Sequence, residues 1–310
     1  MSHTPRQWIP EQVMHGVIRT IDRFFLLIPN SQITNIIGSS VGRALEQHPV
    51  QLHACMAHTN HIHFLLSVTH ETLGNGTRFF QYLNGLIAKE INKHWNRTGH
   101  LWGERISLEP VVDDAAAEKM LAYVMTNPVK DDLVDHVYDW RGFSTYKQLE
   151  KGKPVSYNYI ARREWWQKGG PRSSQGEKDF QKTTEVQTTP LPHWQNWSEV
   201  HQRKHFTNLI KTAEAQNRER RSIEGKKAMG MPAVMRNNHR DRPTSKPKKG
   251  PKPLCHASSK GTLRAFKDHW KEFINAYRQA SAYYRSGILD IEFPPGSFRP
   301  PLVLVCVTGS

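Results

Sequence analysis

Cysteine is scarce, with Cys55, Cys255 and Cys306 far apart and no Cys-x-x-Cys pair among them. Such spacing supports neither a disulfide framework nor a thiolate zinc centre, and leaves scattered reduced thiols. Long apolar runs are missing as well. No stretch approaches the roughly 18 uninterrupted apolar residues of a membrane helix, and the opening MSHTPRQWIPEQ lacks the apolar core of a secretory signal. A cytoplasmic protein with no membrane partner is therefore expected. Acidic residues are few: 28 Asp and Glu stand against 43 Lys and Arg, a net charge of +15. That deficit favours a polyanionic partner, either nucleic acid or an anionic surface.

With 310 residues the chain exceeds the roughly 200 that one core usually needs, so one domain of ordinary size plus an appendage is expected. From Gly16 to Pro29 the run GVIRTIDRFFLLIP is rich in β-branched and aromatic residues and reads as a strand, and a helix is expected from Ile33 onward. In VQLHACMAHTNHIHFLLSV two alternating runs meet at the turn formers His58, Thr59 and Asn60, which makes a hairpin. Phe79, Phe80, Leu83, Leu86, Ile87, Ile91 and Trp95 recur with a period near 3.6 and mark an amphipathic helix. LWGERISLEPVV then reads as a strand, and DDAAAEKMLAYVMTN as a helix with acids in its first turn, ended by Pro128. Strand, helix, hairpin, helix, strand, helix describes an α+β domain with an antiparallel sheet, ending near residue 150.

Beyond that point composition changes. The stretch GGPRSSQGEKDFQKTTEVQTTP carries few apolar residues, and residues 151–200 read as a mobile linker. Residues 201–256 hold 15 Lys and Arg against 4 Asp and Glu, and read as a basic, partly disordered arm that tracks phosphates. Its part PTSKPKKGPKPL is rich in Pro and Lys. Residues 257–310 read as a C-terminal helical segment in which Trp270, Phe273, Tyr277 and Tyr284 serve packing.

The sharpest chemical feature is His61-Ile62-His63-Phe64-Leu65-Leu66-Ser67-Val68. A strand's period of two sends Ile62, Phe64, Leu66 and Val68 to one face and both histidines to the other, where two imidazoles are spaced to hold one metal ion. An isolated His-x-His pair also occurs as two surface or cross-strand histidines. In the later helix Tyr123 and Asn127 are four residues apart and share a face, so a hydroxyl nucleophile and an amide ligand could approach one ion. Tyr123 reads equally as a half-buried core aromatic, and Asn127 as the residue that ends a helix before Pro128.

Four segments in order, TNHIHFLLSV, GHLWGERISLEPV, AYVMTNPVKDDLV and VYDWRGFSTY, resemble the HUH transposases with a single catalytic tyrosine, especially their REP-associated branch. The resemblance spans about residues 14–147. It implies a ferredoxin-like antiparallel sheet backed by helices over residues 1–150, with His61, His63 and Asn127 as ligands of Mg²⁺ or Mn²⁺ and Tyr123 as nucleophile. The implied reaction is cleavage and rejoining of single-stranded, hairpin-bearing DNA through a 5′-phosphotyrosyl link, with no small-molecule cofactor, by a monomer or homodimer. The chain departs from the family in Lys130-Asp131-Asp132-Leu133, where a basic, glycine-containing turn is usual. Arg19, Arg23 and Arg105 could meet phosphates, and Trp102 could stack on an unpaired base. Competing readings are a catalytically idle DNA-binding regulator with the same fold, an RNA-binding protein, and a zinc hydrolase using His58, His61 and His63. Tyr138 and Tyr146 are alternative nucleophiles without a ligand-like partner at i+4.

Overall fold

The computed structural model describes residues 5–244 and 253–301. Its first elements are β1 (Val13–Arg19), α1 (Ser31–Gln47), β2 (Gln51–Ala57), β3 (His61–Ser67), α2 (Asn75–His94) and β4 (Ser107–Val111). These strands form one antiparallel sheet in the order β2-β3-β1-β4, the arrangement of a βαββαβ ferredoxin-like unit. The expected α+β fold with an antiparallel sheet backed by helices is thus present.

The sheet is covered on both faces. Ile62, Phe64, Leu66 and Val68 of β3 pack with Ile33, Ile37 and Val41 of α1 and Phe79, Leu83 and Ile87 of α2. On the opposite face Val13, Ala54, Met56, Leu65 and Val111 pack with α3 (Asp114–Met125). Asp113 caps α3, its carboxylate accepting from the Ala116 N–H at 2.8 Å. Pro128 then lies in the first turn of α4 (Asn127–Lys130), where its missing N–H costs no helical bond.

The strand expected to run from Gly16 to Pro29 stops at Arg19. Asp22 and Arg23 adopt positive φ of 50° and 60°, which turns the chain out of the sheet. Leu26, Leu27 and Ile28 are buried outside any strand, so the apolar run marks burial there, not pairing.

The stretch expected as a linker over 151–200 carries regular structure. After α5 (Tyr146–Lys151), β5 (Val155–Ile160), α6 (Arg162–Gln167) and β6 (Gln181–Val186) follow, and β5 pairs with β6 in a two-stranded antiparallel sheet. This hairpin lies on α1 at Gly38 and Gly42, where a Cβ would collide with Tyr157 and with Thr184. The arm expected over 201–256 also differs. α7 (Glu199–Ile223) buries Phe206 and Ile210 among the α3 side of the core, and α8 (Met231–Arg236) adds Met231 and Val234. Most of the PTSKPKKGPKPL segment lies outside the described residues. The C-terminal helix is present as α9 (Lys260–Arg285), with Phe266 and Phe273 buried and Trp270 against both. Among the described residues no helix is long and apolar enough to cross a membrane.

Candidate active site

Strand alternation puts His61 and His63 on the sheet face that α3 covers, as their spacing predicts. Arg19 faces His61 across the β1–β3 ladder and Val17 faces His63, so Arg19 shares this face and stays exposed at its rim. The His61 and His63 rings are 4.8 Å apart with planes at 77°, an angle at which in-plane lone pairs can converge. His58 instead stacks on His61 at 4.6 Å with planes 20° apart, and also lies against Trp140 at 5.7 Å. Nearly parallel rings direct their lone pairs side by side, which argues against a three-histidine zinc site built from His58, His61 and His63.

Both Nδ1 atoms are engaged. His61 Nδ1–H donates to Asn60 Oδ1 at 2.7 Å, and Asn60 is fixed in turn by donating through Nδ2 to the Arg23 carbonyl at 3.0 Å. His63 Nδ1 lies 3.0 Å from His15 Nε2, with the two ring planes only 8° apart. A metal-binding histidine is usually held through its other ring nitrogen in this way. His63 Nε2 and Asn127 Oδ1 are buried, and neither has a hydrogen-bond partner among the described residues. Burial pushes the His61 and His63 imidazoles well below their usual range, with neighbouring histidines, Arg19 and Lys130 acting in the same direction. They are neutral at physiological pH, the state in which imidazole ligates a cation.

Tyr123, half-buried on α3, stands edge-on to His63 at 5.6 Å and to His15 at 6.1 Å. Its hydroxyl has no hydrogen bond to any described residue. Lys130 Nζ lies 4.7 Å from the centre of the Tyr123 ring. Tyr146, by contrast, donates its hydroxyl to Glu150 at 3.0 Å, and burial together with Glu150 raises it above the ordinary tyrosine value. Tyr138 is exposed on a short turn and meets none of these histidines. The two acids after Lys130 are both engaged. Asp131 Oδ2 lies 3.4 Å from His58 Nε2, and Asp132 Oδ1 accepts from Arg220 of α7 at 2.7 Å. Arg221, almost fully buried, approaches Asp132 at 3.8 Å and Asp135 at 3.4 Å. Part of the positive charge expected for a phosphate-tracking arm is thus spent inside the fold.

The other expected contacts fall elsewhere. Trp102 is half-buried against the α1–α2 side of the core and donates its indole N–H to the Asn84 carbonyl of α2 at 3.0 Å. Arg23 lies in the turn behind Asn60, and Arg105 lines a cavity beside Arg6 on the far side of β4.

No protein-family model matches the chain, and no curated protein matches it. Solved structures give partial likenesses. One, described as a REP-associated tyrosine transposase bound to a REP hairpin, is 18% identical, with a TM-score of 0.40, over 48% of this chain and 85% of that one. A putative transposase from Deinococcus radiodurans R1 is 15% identical, with a TM-score of 0.28, over 40% of this chain and 95% of that one. A tRNA(His) guanylyltransferase from Saccharomyces cerevisiae is 9% identical, with a TM-score of 0.33, over 57% of this chain and 79% of that one.

Sequence reading missed three residues of this face. His15 on β1, Glu109 on β4 and His256 lie side by side, with His15 and Glu109 directly opposite in the ladder. His15 stands four residues before Arg19 and so shares its strand face, a signal that was available. Nothing local announces His256, which the chain brings back along β4 through the His256 N–H to Pro110 carbonyl bond at 2.8 Å and the Val112 N–H to His256 carbonyl bond at 2.9 Å.

Proposed function

We propose that this chain is a transposase-like enzyme that cuts and rejoins single-stranded, hairpin-bearing DNA, with Tyr123 as nucleophile and His61, His63 and Asn127 as holders of Mg²⁺ or Mn²⁺. The observation that carries the reading is the convergence of Tyr123 with two Nδ1-anchored imidazoles, together with two buried ligand atoms, His63 Nε2 and Asn127 Oδ1, that lack partners. A buried acceptor left unpaired costs roughly 1–3 kcal/mol, which favours a ligand for each of these atoms. Two imidazoles and one amide are neutral donors suited to a divalent ion that leaves positions for oxygen. When bound, the ion would draw charge from the scissile phosphate.

The residues themselves divide the remaining work. Tyr123 supplies the oxygen that attacks phosphorus, displacing the 3′-hydroxyl of the upstream strand and leaving the downstream 5′-phosphate on the tyrosine. Lys130, over the Tyr123 ring, adds positive charge beside the nucleophile where a phosphate would approach. Arg19, exposed opposite His61, is the residue we assign to a phosphate beside the attacked one. Because the phosphotyrosyl link stays activated, a second strand's 3′-hydroxyl can reverse the step and join strands. Asp131 and Asp132, facing His58, Lys130, Arg220 and Arg221, oppose an approaching phosphate less than free acids would.

Incubation with labelled single-stranded hairpin oligonucleotides and Mn²⁺, followed by denaturing electrophoresis, tests the reading. A covalent band in wild type that disappears in Tyr123→Phe, with binding retained, is expected. Absence of any band across a broad oligonucleotide pool, with binding intact, would replace this reading by that of an idle DNA-binding regulator.

A further inference from the structure

We infer that His15, Glu109 and His256 form a second metal site, selective for zinc, and that filling it disarms His63. The second half rests on the reading of His63 as a ligand given above; the first does not. Three donor atoms define the site: His15 Nδ1, Glu109 Oε2 and His256 Nε2. Their separations are 3.3 Å between the two imidazole nitrogens, 3.5 Å from His15 to Glu109 and 3.1 Å from His256 to Glu109. Tetrahedral zinc with bonds of roughly 2.05 Å sets its ligands about 3.3 Å apart, so the triangle has the size of one face of that coordination polyhedron. The fourth position is left for water.

Each donor is held from behind. His15 is buried on the central strand β1. Glu109 Oε1 accepts from the Ser107 hydroxyl at 2.9 Å, which leaves Oε2 for the shared point. Backbone bonds to Pro110 and Val112 lock His256 to β4. Burial opposes ionisation of Glu109, yet hydrogen bonds from His15, His256 and Ser107 hold its carboxyl well below the usual range, so the carboxylate is charged. Two imidazoles and one carboxylate suit Zn²⁺ better than Mg²⁺, whose preference is for oxygen.

The connection to the first site is the hydrogen bond of 3.0 Å between His15 Nε2 and His63 Nδ1. Without metal, the Glu109 carboxylate 3.5 Å from His15 Nδ1 favours a proton on that nitrogen, so that His15 Nε2 accepts from His63 Nδ1–H and the His63 Nε2 lone pair is free. Zinc on His15 Nδ1 reverses this order. The Nδ1 proton of His15 leaves to solvent, the proton between the rings moves onto His15 Nε2, and His63 takes a solvent proton at Nε2. Both rings stay neutral and no net proton is gained or lost by the pair. His63 Nε2 is then an N–H, which cannot ligate. The same sheet thus carries two sites that exclude one another, and Zn²⁺ is an inhibitor of the chemistry proposed for Tyr123.

Titration of metal-free full-length protein with Zn²⁺ alone, and with Co²⁺ as an absorbing substitute, tests this without any cleavage assay. One site is expected whose affinity falls at least tenfold in His256→Ala and in Glu109→Gln, and which persists in Asn127→Ala; circular dichroism establishes that each variant is folded. In ¹⁵N spectra of histidine-labelled protein, Zn²⁺ is expected to change His63 Nε2 from lone-pair to N–H character. Zinc affinity indifferent to both His256→Ala and Glu109→Gln overturns the site. Affinity that obeys them with no change at His63 overturns the coupling. Failure of the Tyr123 adduct would leave both zinc results standing.

Discussion

His53, in β2, makes stability depend on pH in a way that can be isolated. Its Nδ1–H donates to the Thr189 carbonyl at 3.0 Å, and Ser67 Oγ lies 3.0 Å from Nε2. Burial pushes the imidazole down from 6.5 to about 4, against the opposing pull of the Thr189 and Pro190 carbonyls. Since the folded value is depressed, the unfolded chain takes up the proton first as pH falls below 6.5. Stability is lost from there until pH 4, where the folded imidazole protonates as well. The full shift corresponds to about 3 kcal/mol, of which about 2 kcal/mol falls between pH 7 and pH 5. His58, His61 and His63 act in the same sense, so wild type alone would not separate them. The comparison is urea unfolding of wild type and His53→Gln at pH 7 and pH 5 in the presence of EDTA. Whatever the variant costs at pH 7, wild type should lose about 2 kcal/mol more than it does between the two pH values. Equal losses in the two proteins would refute a buried, neutral His53.

Other substitutions probe other parts of the molecule. Gly42→Ala pushes a methyl group into Thr184 and the Glu185 carbonyl, and should lower stability by about 1–3 kcal/mol, read from the urea midpoint. Glu214→Ala removes the carboxylate that accepts from the Val137 N–H at 2.6 Å; stranding that buried donor should cost about 1–3 kcal/mol, with Glu214→Gln recovering part of it. Arg19→Ala should weaken binding of single-stranded DNA alike for all sequences and reduce the salt slope by about 0.7, measured by fluorescence anisotropy from low to high salt.

The sheet and its first three long helices were legible because each carries a periodic pattern set by local geometry. His61 and His63 could be assigned to one face by counting alone, whereas Tyr123 and Asn127, read as one helix, fall in the last turn of α3 and at the start of α4. The early end of β1 was not legible: Phe24 to Pro29 is as apolar as a strand, and only the positive φ at Asp22 and Arg23 turns it away. The hairpin at 155–186 was hidden for the opposite reason. Its strands are mostly polar, with Thr184 and Val186 the only buried positions of β6, and it depends on contact with two glycines of α1 over a hundred residues earlier. α7 has so low an apolar content that it read as a charged arm, yet Phe206 and Ile210 suffice to seat it and Asp132 neutralises its inward arginines. His256 joins His15 only through the long return of the chain, which no local pattern encodes.

Both outer strands of the main sheet are occupied by later parts of the same chain. Along β4, His256 bridges Val111 in parallel fashion. Along β2, Ser144 bridges Met56, while the Ala57 N–H donates to the Phe143 carbonyl and the Thr189 N–H to the Leu52 carbonyl. Exposed sheet edges are where extended peptides and second copies add themselves. Here the polypeptide has already supplied its own flanking segments. A second copy or an extended peptide that added itself to either edge of the main sheet would therefore have to displace one of these segments.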